Sequence, residues 1–181
     1  MIDEKLRNDL ISRVREVSLL RGDFTLRSGK KSKFYLDVKR AYGDPGLLNS
    51  LADALYLDMD CDKKATCVAG YGYGGRPLAD VISSRHGLNL IQIRDEPKGH
   101  GTQKLIEGYE PDQSDKIIIP DDVFTSGGSL RKATEILLPM GVEIIKYGVV
   151  VNREEGHPDT LPAGLVWLMT AKEVIGDIIT L

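Results

Sequence analysis

The fold is indicated most clearly by the stretch Ile117-Ile118-Ile119-Pro120-Asp121-Asp122-Val123-Phe124-Thr125-Ser126-Gly127-Gly128-Ser129. A short apolar run, typical of a buried strand, is followed by two adjacent carboxylates and then by small hydroxyl and glycine residues. The pattern of residues 129–140 predicts a helix, which ends at Gly141. Strand, polar turn and helix in this order are the repeating unit of a parallel α/β sheet.

The same alternation of strands and helices extends from residue 66 towards the C-terminus. Strands are predicted at 66–69, 88–93, 117–119, 142–151 and around 164–169, and helices at 77–86, 129–140 and the extreme C-terminus. Because these strands are apolar throughout, helices are expected to cover both faces of the sheet. The sequence therefore predicts an α/β fold with a Rossmann-like, mostly parallel sheet flanked by helices. In such sheets, ligands bind at the carboxyl ends of the strands.

The first 60 residues show a different pattern. Apolar residues spaced by three and four predict an amphipathic helix over 3–20. Two short strands, 24–26 and 34–38, flank the polar run 27–33 and predict a hairpin with a basic tip. A second helix is expected to begin at Asp44-Pro45-Gly46.

Length and composition limit the classes of function. The chain has 181 residues, 41% of them hydrophobic and 28% charged, as expected for one globular domain over 1–181. Its net charge of −3 argues against the basic face that a nucleic-acid partner requires. No apolar run approaches the roughly 20 residues needed to cross a membrane, and the first residues do not resemble a signal peptide. We therefore expect a cytoplasmic protein with no nucleic-acid or membrane partner.

A first possible phosphate site is the glycine-rich segment Gly70-Tyr71-Gly72-Tyr73-Gly74-Gly75, which satisfies G-x-G-x-x-G between a strand and a helix. Asp95 lies 20 residues after Gly75, where a dinucleotide-binding fold places a ribose-binding acid. The alternative is a tight turn that needs glycine for conformational reasons alone. The segment is not a P-loop, because Arg76-Pro77 stands where G-K-[ST] would be required.

The second possible phosphate site is the stretch quoted at the outset. Glycines and free N–H groups at a helix start bind phosphate, and hydroxyls add donors. The two carboxylates are suited to accept hydrogen bonds from a vicinal diol and to hold hydrated Mg²⁺. Together these groups predict a ribose 5-phosphate site, whereas the alternative is an N-cap acid pair before a glycine-rich turn. A dinucleotide-binding fold gives this second loop no role.

These residues resemble a known family. Residues 121–129 are similar to the phosphoribosyl diphosphate (PRPP) signature of type I phosphoribosyltransferases. Three further stretches resemble the orotate phosphoribosyltransferases: the N-terminal hairpin at 24–32, the flexible catalytic loop at 94–101, and the turn at 152–156 that meets the orotate carboxylate. The matches occur in the family's order from about residue 20 onwards.

The resemblance implies a reaction and an assembly. Orotate and PRPP would give orotidine 5′-monophosphate and pyrophosphate, a step of pyrimidine (UMP) biosynthesis. Mg²⁺ would be held through PRPP and water near Asp121 and Asp122. A small N-terminal hood, formed mainly by residues 1–40, would help to enclose the base. The family also implies a homodimer in which the catalytic loop reaches the neighbouring subunit's site.

The resemblance further assigns roles to individual residues. The catalytic residues would be Lys98, His100, Asp121 and Asp122. PRPP would be bound by Tyr73, Gly74, Gly75, Arg94, Lys98, His100, Asp121, Asp122, Thr125, Ser126, Gly127, Gly128 and Ser129. Orotate would be bound by Arg27, Tyr35, Thr125 and Arg153. The simpler alternatives are a surface ion pair of Arg153 with Glu154 or Glu155, and a merely solvated face for the loop cations.

The chain departs from the family pattern at four positions. Asp95 stands where many relatives carry a lysine, Gly74 and Arg27 stand where some do, and Pro120 replaces a β-branched residue. The pyrophosphate half of the site is therefore short of positive charge. The expectation is a working enzyme with a weaker cationic loop. The alternatives are a PRPP-binding regulator, a catalytically weak homologue, or a transferase for another base.

Overall fold

A computed structural model describes residues 2–25, 29, 31–60, 62–96 and 104–176. Its helices are α1 (Glu4–Ser18), α2 (Pro45–Met59), α3 (Gly72–His86), α4 (Gly128–Leu137) and α5 (Ala171–Ile175). Its strands are β1 (Leu19–Thr25), β2 (Lys31–Leu36), β3 (Cys67–Tyr71), β4 (Asn89–Ile93), β5 (Ile106–Gly108), β6 (Lys116–Phe124), β7 (Glu143–Asn152) and β8 (Leu165–Thr170). Short 3₁₀ helices cover Val38–Gly43, Leu138–Met140 and Pro158–Thr160. None of the helices described is both long and apolar enough to cross a bilayer.

The central sheet has six strands in the order β5-β4-β3-β6-β7-β8. Strands β4, β3, β6, β7 and β8 run parallel, and β5 pairs antiparallel with β4 at one edge. This arrangement confirms the predicted α/β fold with a mostly parallel sheet. Strand β5 was not predicted, because its three residues lie within a polar segment that has no strand-like alternation.

Helices pack on both faces of the sheet, as the apolar strands predicted. The three isoleucines that begin the quoted stretch alternate between these faces, since successive side chains of a strand point in opposite directions. Ile118 is buried with residues of α1, α2 and α3, whereas Ile117 and Ile119 are buried with residues of α4. All three are fully buried, which explains why residues 117–119 include no polar side chain.

Strand β6 is longer than the prediction of 117–119. It pairs with β3 at Ile117 and Ile118, and its pairing with β7 continues to Phe124. Pro120, Asp121 and Asp122 therefore lie within the strand rather than after it. The prediction of a strand end before the carboxylates was wrong, because register with β7 outweighs the low strand propensity of proline and aspartate.

Helix α3 begins at Gly72 rather than at residue 77. The glycine-rich segment is thus the end of β3 and the first turn of α3, which also contains Pro77. Its glycines allow close backbone contact. A Cβ atom on Gly70 would lie 2.8 Å from the Cα of Arg76, and one on Gly75 would lie 2.6 Å from the carbonyl oxygen of Pro120. This packing brings the first turn of α3 against β6.

The N-terminal elements form a helix and a separate two-stranded sheet. Helix α1 ends at Ser18, two residues before the predicted end, and the antiparallel pair β1–β2 follows directly. The hairpin strands are therefore longer than the predicted 24–26 and end earlier than the predicted 34–38. Two hydrogen bonds of 2.8 Å from Arg7 to Glu173 tie α1 to α5. The assignment of residues 1–40 to a hood stays a prediction.

Candidate active site

The centre of the candidate site is the acid pair, Asp121 and Asp122, near the carboxyl end of β6. The two residues are only 5% and 9% exposed. The backbone N–H of Asp122 donates to Oδ1 of Asp121 at 2.9 Å, and that of Val123 donates to Oδ1 of Asp122 at 2.9 Å. Burial and the charge of Asp122 nevertheless raise the pKa of Asp121 well above its ordinary value, against the opposing hydrogen bond from Ser129. The pair therefore holds more negative charge than its protein donors balance.

A lysine that the sequence did not single out contacts this pair. Lys39 lies in the 3₁₀ helix Val38–Gly43, and its Nζ is 3.2 Å from Oδ2 of Asp122 and 3.9 Å from Oδ1 of Asp37. Burial acts to lower the pKa of Lys39, but the neighbouring acids raise it overall. No local motif marks Lys39, because its partner is 83 positions away in the chain.

The first turn of α3 lies directly against the acid pair. A Cβ atom on Gly74 would be 2.3 Å from Oδ1 of Asp122 and 2.4 Å from Oδ1 of Asp121, so a side chain at this position requires the carboxylates to move. The hydroxyl of Tyr42, a half-buried residue, donates to the carbonyl of Gly74 at 3.0 Å and helps to fix the turn. Tyr73 is 85% exposed beside it. Tyr42 is a second contact that the sequence did not reveal.

The predicted phosphate loop, residues 125–129, follows the acid pair at the start of α4. Gly127 occupies the N-cap with φ of +77°, and a Cβ atom there would lie 2.8 Å from the ring of Phe124. Glycine is therefore required both for the backbone conformation and for lack of space. Ser126, Gly128 and Ser129 are exposed. The first N–H groups of α4 have no side-chain cap, which leaves them available to an anion.

The turn that carries Arg153 packs on the phosphate loop. The N–H of Arg153 donates to the carbonyl of Phe124 at 3.0 Å, and a Cβ atom on Gly156 would lie 2.1 Å from the carbonyl oxygen of Thr125. The guanidinium of Arg153 pairs with Glu155, with 2.8 Å between Nη2 and Oε1. The surface ion pair considered as an alternative for Arg153 is thus present, although it is formed next to the predicted site.

Of the remaining predicted residues, Tyr35 and Arg94 are among those that the structure describes. Tyr35 is 42% exposed, lies 5.5 Å from Phe24 between ring centroids, and interacts electrostatically with Lys39, which brings the hairpin close to the acid pair. Arg94 is paired with Glu107 at 3.4 Å. Arg27, Lys98 and His100 lie outside the described residues, so their predicted roles are not addressed by the geometry.

Asp95, the acid that lies 20 residues after the glycine-rich segment, contacts the end of strand β3. Its side chain accepts a hydrogen bond from Tyr71, the last residue of β3. Burial and this contact raise the pKa of Tyr71 to about 12, so the phenol stays protonated and remains a donor. The acid that departs from the family pattern is therefore engaged with the sheet.

The described residues contain no group of three or more histidine, cysteine or acidic side chains arranged to hold a metal ion. The acid pair alone offers two carboxylates with the hard oxygen donors that Mg²⁺ prefers. Such a set fits an ion that is held mainly by substrate oxygens and water.

Comparisons with known proteins agree with this geometry. A family model described as the phosphoribosyl transferase domain matches residues 47–161. The orotate phosphoribosyltransferase of Methanothermobacter thermautotrophicus is 39% identical over 157 residues, covering 86% of this chain and 85% of the relative. The crystal structure of the Aeropyrum pernix orotate phosphoribosyltransferase is 33% identical, with a TM-score of 0.77 over 94% of this chain and 96% of that one. The Mycobacterium tuberculosis enzyme is 25% identical and reaches a TM-score of 0.83 over 93% and 98% of the two chains.

The family model covers more than half of the chain, and the archaeal relatives span most of its length at well above 30% identity. The predicted motif at residues 121–129 and the fold around it are those expected of this group. This chain belongs to the orotate phosphoribosyltransferase family of the phosphoribosyltransferases.

Proposed function

We propose that this protein transfers the 5-phosphoribosyl group of PRPP to orotate, giving orotidine 5′-monophosphate and pyrophosphate in the biosynthesis of UMP. Family membership supports the reaction. The single observation that carries the assignment of the site is the buried acid pair, placed between the glycine turn of α3 and the uncapped start of α4. A diol-binding pair with an anion site on either side matches the shape of PRPP.

The ribose 5-phosphate end of PRPP is assigned to β6 and the loop after it. Asp121 and Asp122 accept hydrogen bonds from the ribose hydroxyls, which add to the backbone donors of Asp122 and Val123. The 5′-phosphate binds to Thr125, Ser126, Gly127, Gly128 and Ser129, where hydroxyls and the first N–H groups of α4 are available. A raised pKa at a buried carboxyl, as at Asp121, is common at functional sites, which supports this assignment.

The pyrophosphate end is assigned to the first turn of α3 and to the loop that follows β4. Tyr73, Gly74 and Gly75 line the pyrophosphate, and Arg94, Lys98 and His100 supply positive charge. Breaking the bond between the anomeric carbon and the pyrophosphate oxygen leaves its electron pair on the pyrophosphate and positive charge on the ribose ring. Cations at one end and carboxylates at the other therefore stabilise the charges that develop.

Orotate is assigned to the space between the hairpin and the 152–156 turn. Nitrogen N1 of orotate forms the new bond to the anomeric carbon, and its proton is released to solvent. Arg153 pairs with the orotate carboxylate in the two-pronged geometry that a guanidinium favours, replacing its contact with Glu155. Tyr35, Thr125 and Arg27 complete the base site.

Three further features belong to the proposal. Mg²⁺ would be held through PRPP and water near Asp121 and Asp122, and would neutralise part of the pyrophosphate charge. The protein works as a homodimer whose catalytic loop enters the neighbouring subunit's site. It acts in the cytoplasm.

A steady-state assay with orotate, PRPP and Mg²⁺ tests the proposal by following orotidine 5′-monophosphate and pyrophosphate together. We expect both products in equal amounts, and loss of both when EDTA removes the metal. Uracil and adenine in place of orotate test for another base. PRPP binding by calorimetry without turnover on any base would contradict the enzyme and favour a PRPP-binding regulator. The contact of Asp95 with Tyr71 favours an active enzyme, because the acid has a structural partner at the sheet.

A further inference from the structure

The 3₁₀ helix Val38–Gly43 sends two side chains into the candidate site. In a 3₁₀ helix, residues three apart lie on the same face, and Lys39 and Tyr42 have this spacing. Lys39 contacts Oδ2 of Asp122 at 3.2 Å, and Tyr42 donates to the carbonyl of Gly74 at 3.0 Å. This one short helix therefore touches both the ribose-binding acid and the turn assigned to pyrophosphate.

The ammonium of Lys39 lies close to the pyrophosphate side of the acid pair. Gly74 and Lys39 approach the same carboxylate, since a Cβ atom on Gly74 would lie 2.3 Å from Oδ1 of Asp122 and Lys39 contacts Oδ2. Half of the Lys39 side chain, 51%, is exposed, whereas that of Asp122 is 13% exposed. The lysine thus has room to move and the carboxylate does not.

Other described cations near the turn are engaged elsewhere. Arg76 donates through Nε and Nη2 to the carbonyl of Ile93. Arg94 pairs with Glu107 at 3.4 Å and donates to the carbonyl of Glu96 at 3.4 Å. Gly74 carries no side chain at the turn itself. Of these three described cations, Lys39 is the one that contacts the acid pair, at the carboxylate that Gly74 also approaches.

We propose that Lys39 is a PRPP-binding residue whose ammonium contacts Asp122 before substrate binds and turns to the pyrophosphate group when that polyanion enters the site. This inference rests on the proposed function. A lysine suits the exchange because its compact charge sits on a flexible stem with three rotatable donors. The exchange also keeps the acid pair partly neutralised before substrate arrives. Lys39 thereby supplies positive charge on the side of the site where Gly74 and Asp95 supply none.

Calorimetry with Mg²⁺ and pyrophosphate as the probe tests the contact without requiring turnover. We expect Lys39→Met to weaken pyrophosphate binding at least tenfold, to raise the KM for PRPP by a similar factor, and to leave the KM for orotate within twofold. Lys39→Arg should recover part of the affinity. Lys116→Met is the matched control, because Lys116 pairs with Glu143 at the opposite end of β6, at 3.8 Å. It should bind pyrophosphate like the unmodified protein.

A double variant separates direct contact from simple neutralisation of Asp122. If Lys39 only balances the charge of Asp122, Lys39→Met combined with Asp122→Asn should bind pyrophosphate as tightly as Asp122→Asn alone, and that result would overturn the proposal. Unchanged pyrophosphate affinity in Lys39→Met would overturn it as well. A Lys39→Met protein that melts at the normal temperature excludes misfolding as the cause. Failure of the proposed function is a different result, namely no orotidine 5′-monophosphate from the unmodified protein.

Discussion

Strand β6 has buried carboxylates at both of its ends, and their surroundings differ. Asp115 directly precedes the strand and Asp121 lies near its carboxyl end, and each is 5% exposed. The two acids can be compared directly, because they lie at the two ends of one strand and share a degree of burial and a residue type. What differs is the set of donors around each one.

At the amino end, the acid is fully supplied with donors. Asp115 accepts a hydrogen bond from the hydroxyl of Thr66 at 2.7 Å and another from the N–H of Asp112 at 3.0 Å. Burial acts to raise the pKa of Asp115, but these contacts outweigh it and the pKa is lowered. The ionised side chain therefore stabilises the fold above the ordinary aspartate pKa, and this stabilisation is lost as the pH falls through the lowered value.

At the carboxyl end, burial and a like charge outweigh the donors. The pKa of Asp121 is raised, so ionising it costs folding free energy; this cost decreases as the pH falls through the raised pKa and is gone below the ordinary aspartate pKa. When it is ionised, the Asp121 carboxylate can accept further hydrogen bonds. In the ligand-free fold, the ionised Asp115 at one end of β6 therefore stabilises the protein, whereas ionisation of Asp121 at the other end destabilises it.

Of the substitutions at the two ends of β6, Asp121→Asn is expected to have the largest effect. We expect transferase activity to fall by roughly a hundredfold or more, a loss on the order of 3 kcal/mol in transition-state stabilisation. The melting temperature of the ligand-free protein should stay level or rise, because the substitution removes a buried like-charge contact. Steady-state kinetics and thermal melts measure the two effects.

The effect of Asp121→Asn on stability should also depend on pH. The stability advantage of Asp121→Asn should be largest at neutral pH and should shrink as acid protonates Asp121 in the unmodified protein. If Asp121→Asn melts at a lower temperature than the unmodified protein at neutral pH, or retains full activity, the proposed role of Asp121 in substrate binding is contradicted.

Gly74→Ala tests the same end of the strand without changing charge. The added Cβ atom would lie 2.3 Å and 2.4 Å from the two carboxylates, so the acid pair must move. We expect a roughly tenfold or greater rise in the KM for PRPP, in line with the about 1–3 kcal/mol typical of overpacking. Gly43→Ala is the control, because a Cβ atom there meets nothing within 4 Å. Equal kinetics for the two variants would show that the close approach of Gly74 is unimportant.

Asp115→Asn tests the opposite end. The amide keeps the shape of the side chain but loses the charged acceptor of the bonds from Thr66 and Asp112, which we expect to cost about 2 kcal/mol of unfolding free energy. Urea denaturation measures this loss. The KM for PRPP of the folded protein should not change, and a rise comparable to that of Gly74→Ala would show that the two ends are coupled.

The sequence predicted the features that are contiguous along the chain. The alternation of apolar strands and helices indicated the parallel sheet, and the acid pair and phosphate loop were recognisable because residues 117–129 contain both. The contacts of Lys39 with Asp122 and of Thr66 with Asp115 were not predictable, since they join positions 83 and 49 apart and no local pattern marks them.

The boundaries that were predicted wrongly have a similar cause. Aspartate and proline have low strand propensity, so residues 120–122 indicated the end of β6, but pairing with β7 continues the strand through them. The start of α3 at Gly72 was missed because glycine is a poor helix former; here it is needed for contact with β6. In both places tertiary contacts override local preference, and both lie in the candidate site.

Substitution of Glu173 is expected to have the smallest effect. It tests whether the place of an acid at the carboxyl edge of the sheet, or the donors around it, determines its effect on stability. It follows β8 at the same carboxyl edge of the sheet as Asp121, yet it accepts two hydrogen bonds of 2.8 Å from Arg7 and one of 2.7 Å from the N–H of Thr170. The contact with Arg7 is the main reason that the pKa of Glu173 is lowered to about 2, from an ordinary value of 4.5.

We expect Glu173→Gln to cost about 1 kcal/mol of unfolding free energy at pH 7, because the side chains of Glu173 and Arg7 are 37% and 32% exposed and solvent screens their attraction. Since the folded pKa is lowered, the stabilisation is complete above about pH 5 and is lost as the pH falls from 4.5 towards 2. Urea denaturation of both proteins at pH 7 and pH 3 measures this, with Glu143→Gln, an exposed acid 3.8 Å from Lys116, as the control. If Glu173→Gln instead stabilised the protein as Asp121→Asn is expected to do, the carboxyl edge itself would disfavour negative charge. The opposite signs expected for the two variants would show that the donors around each acid decide its effect on stability.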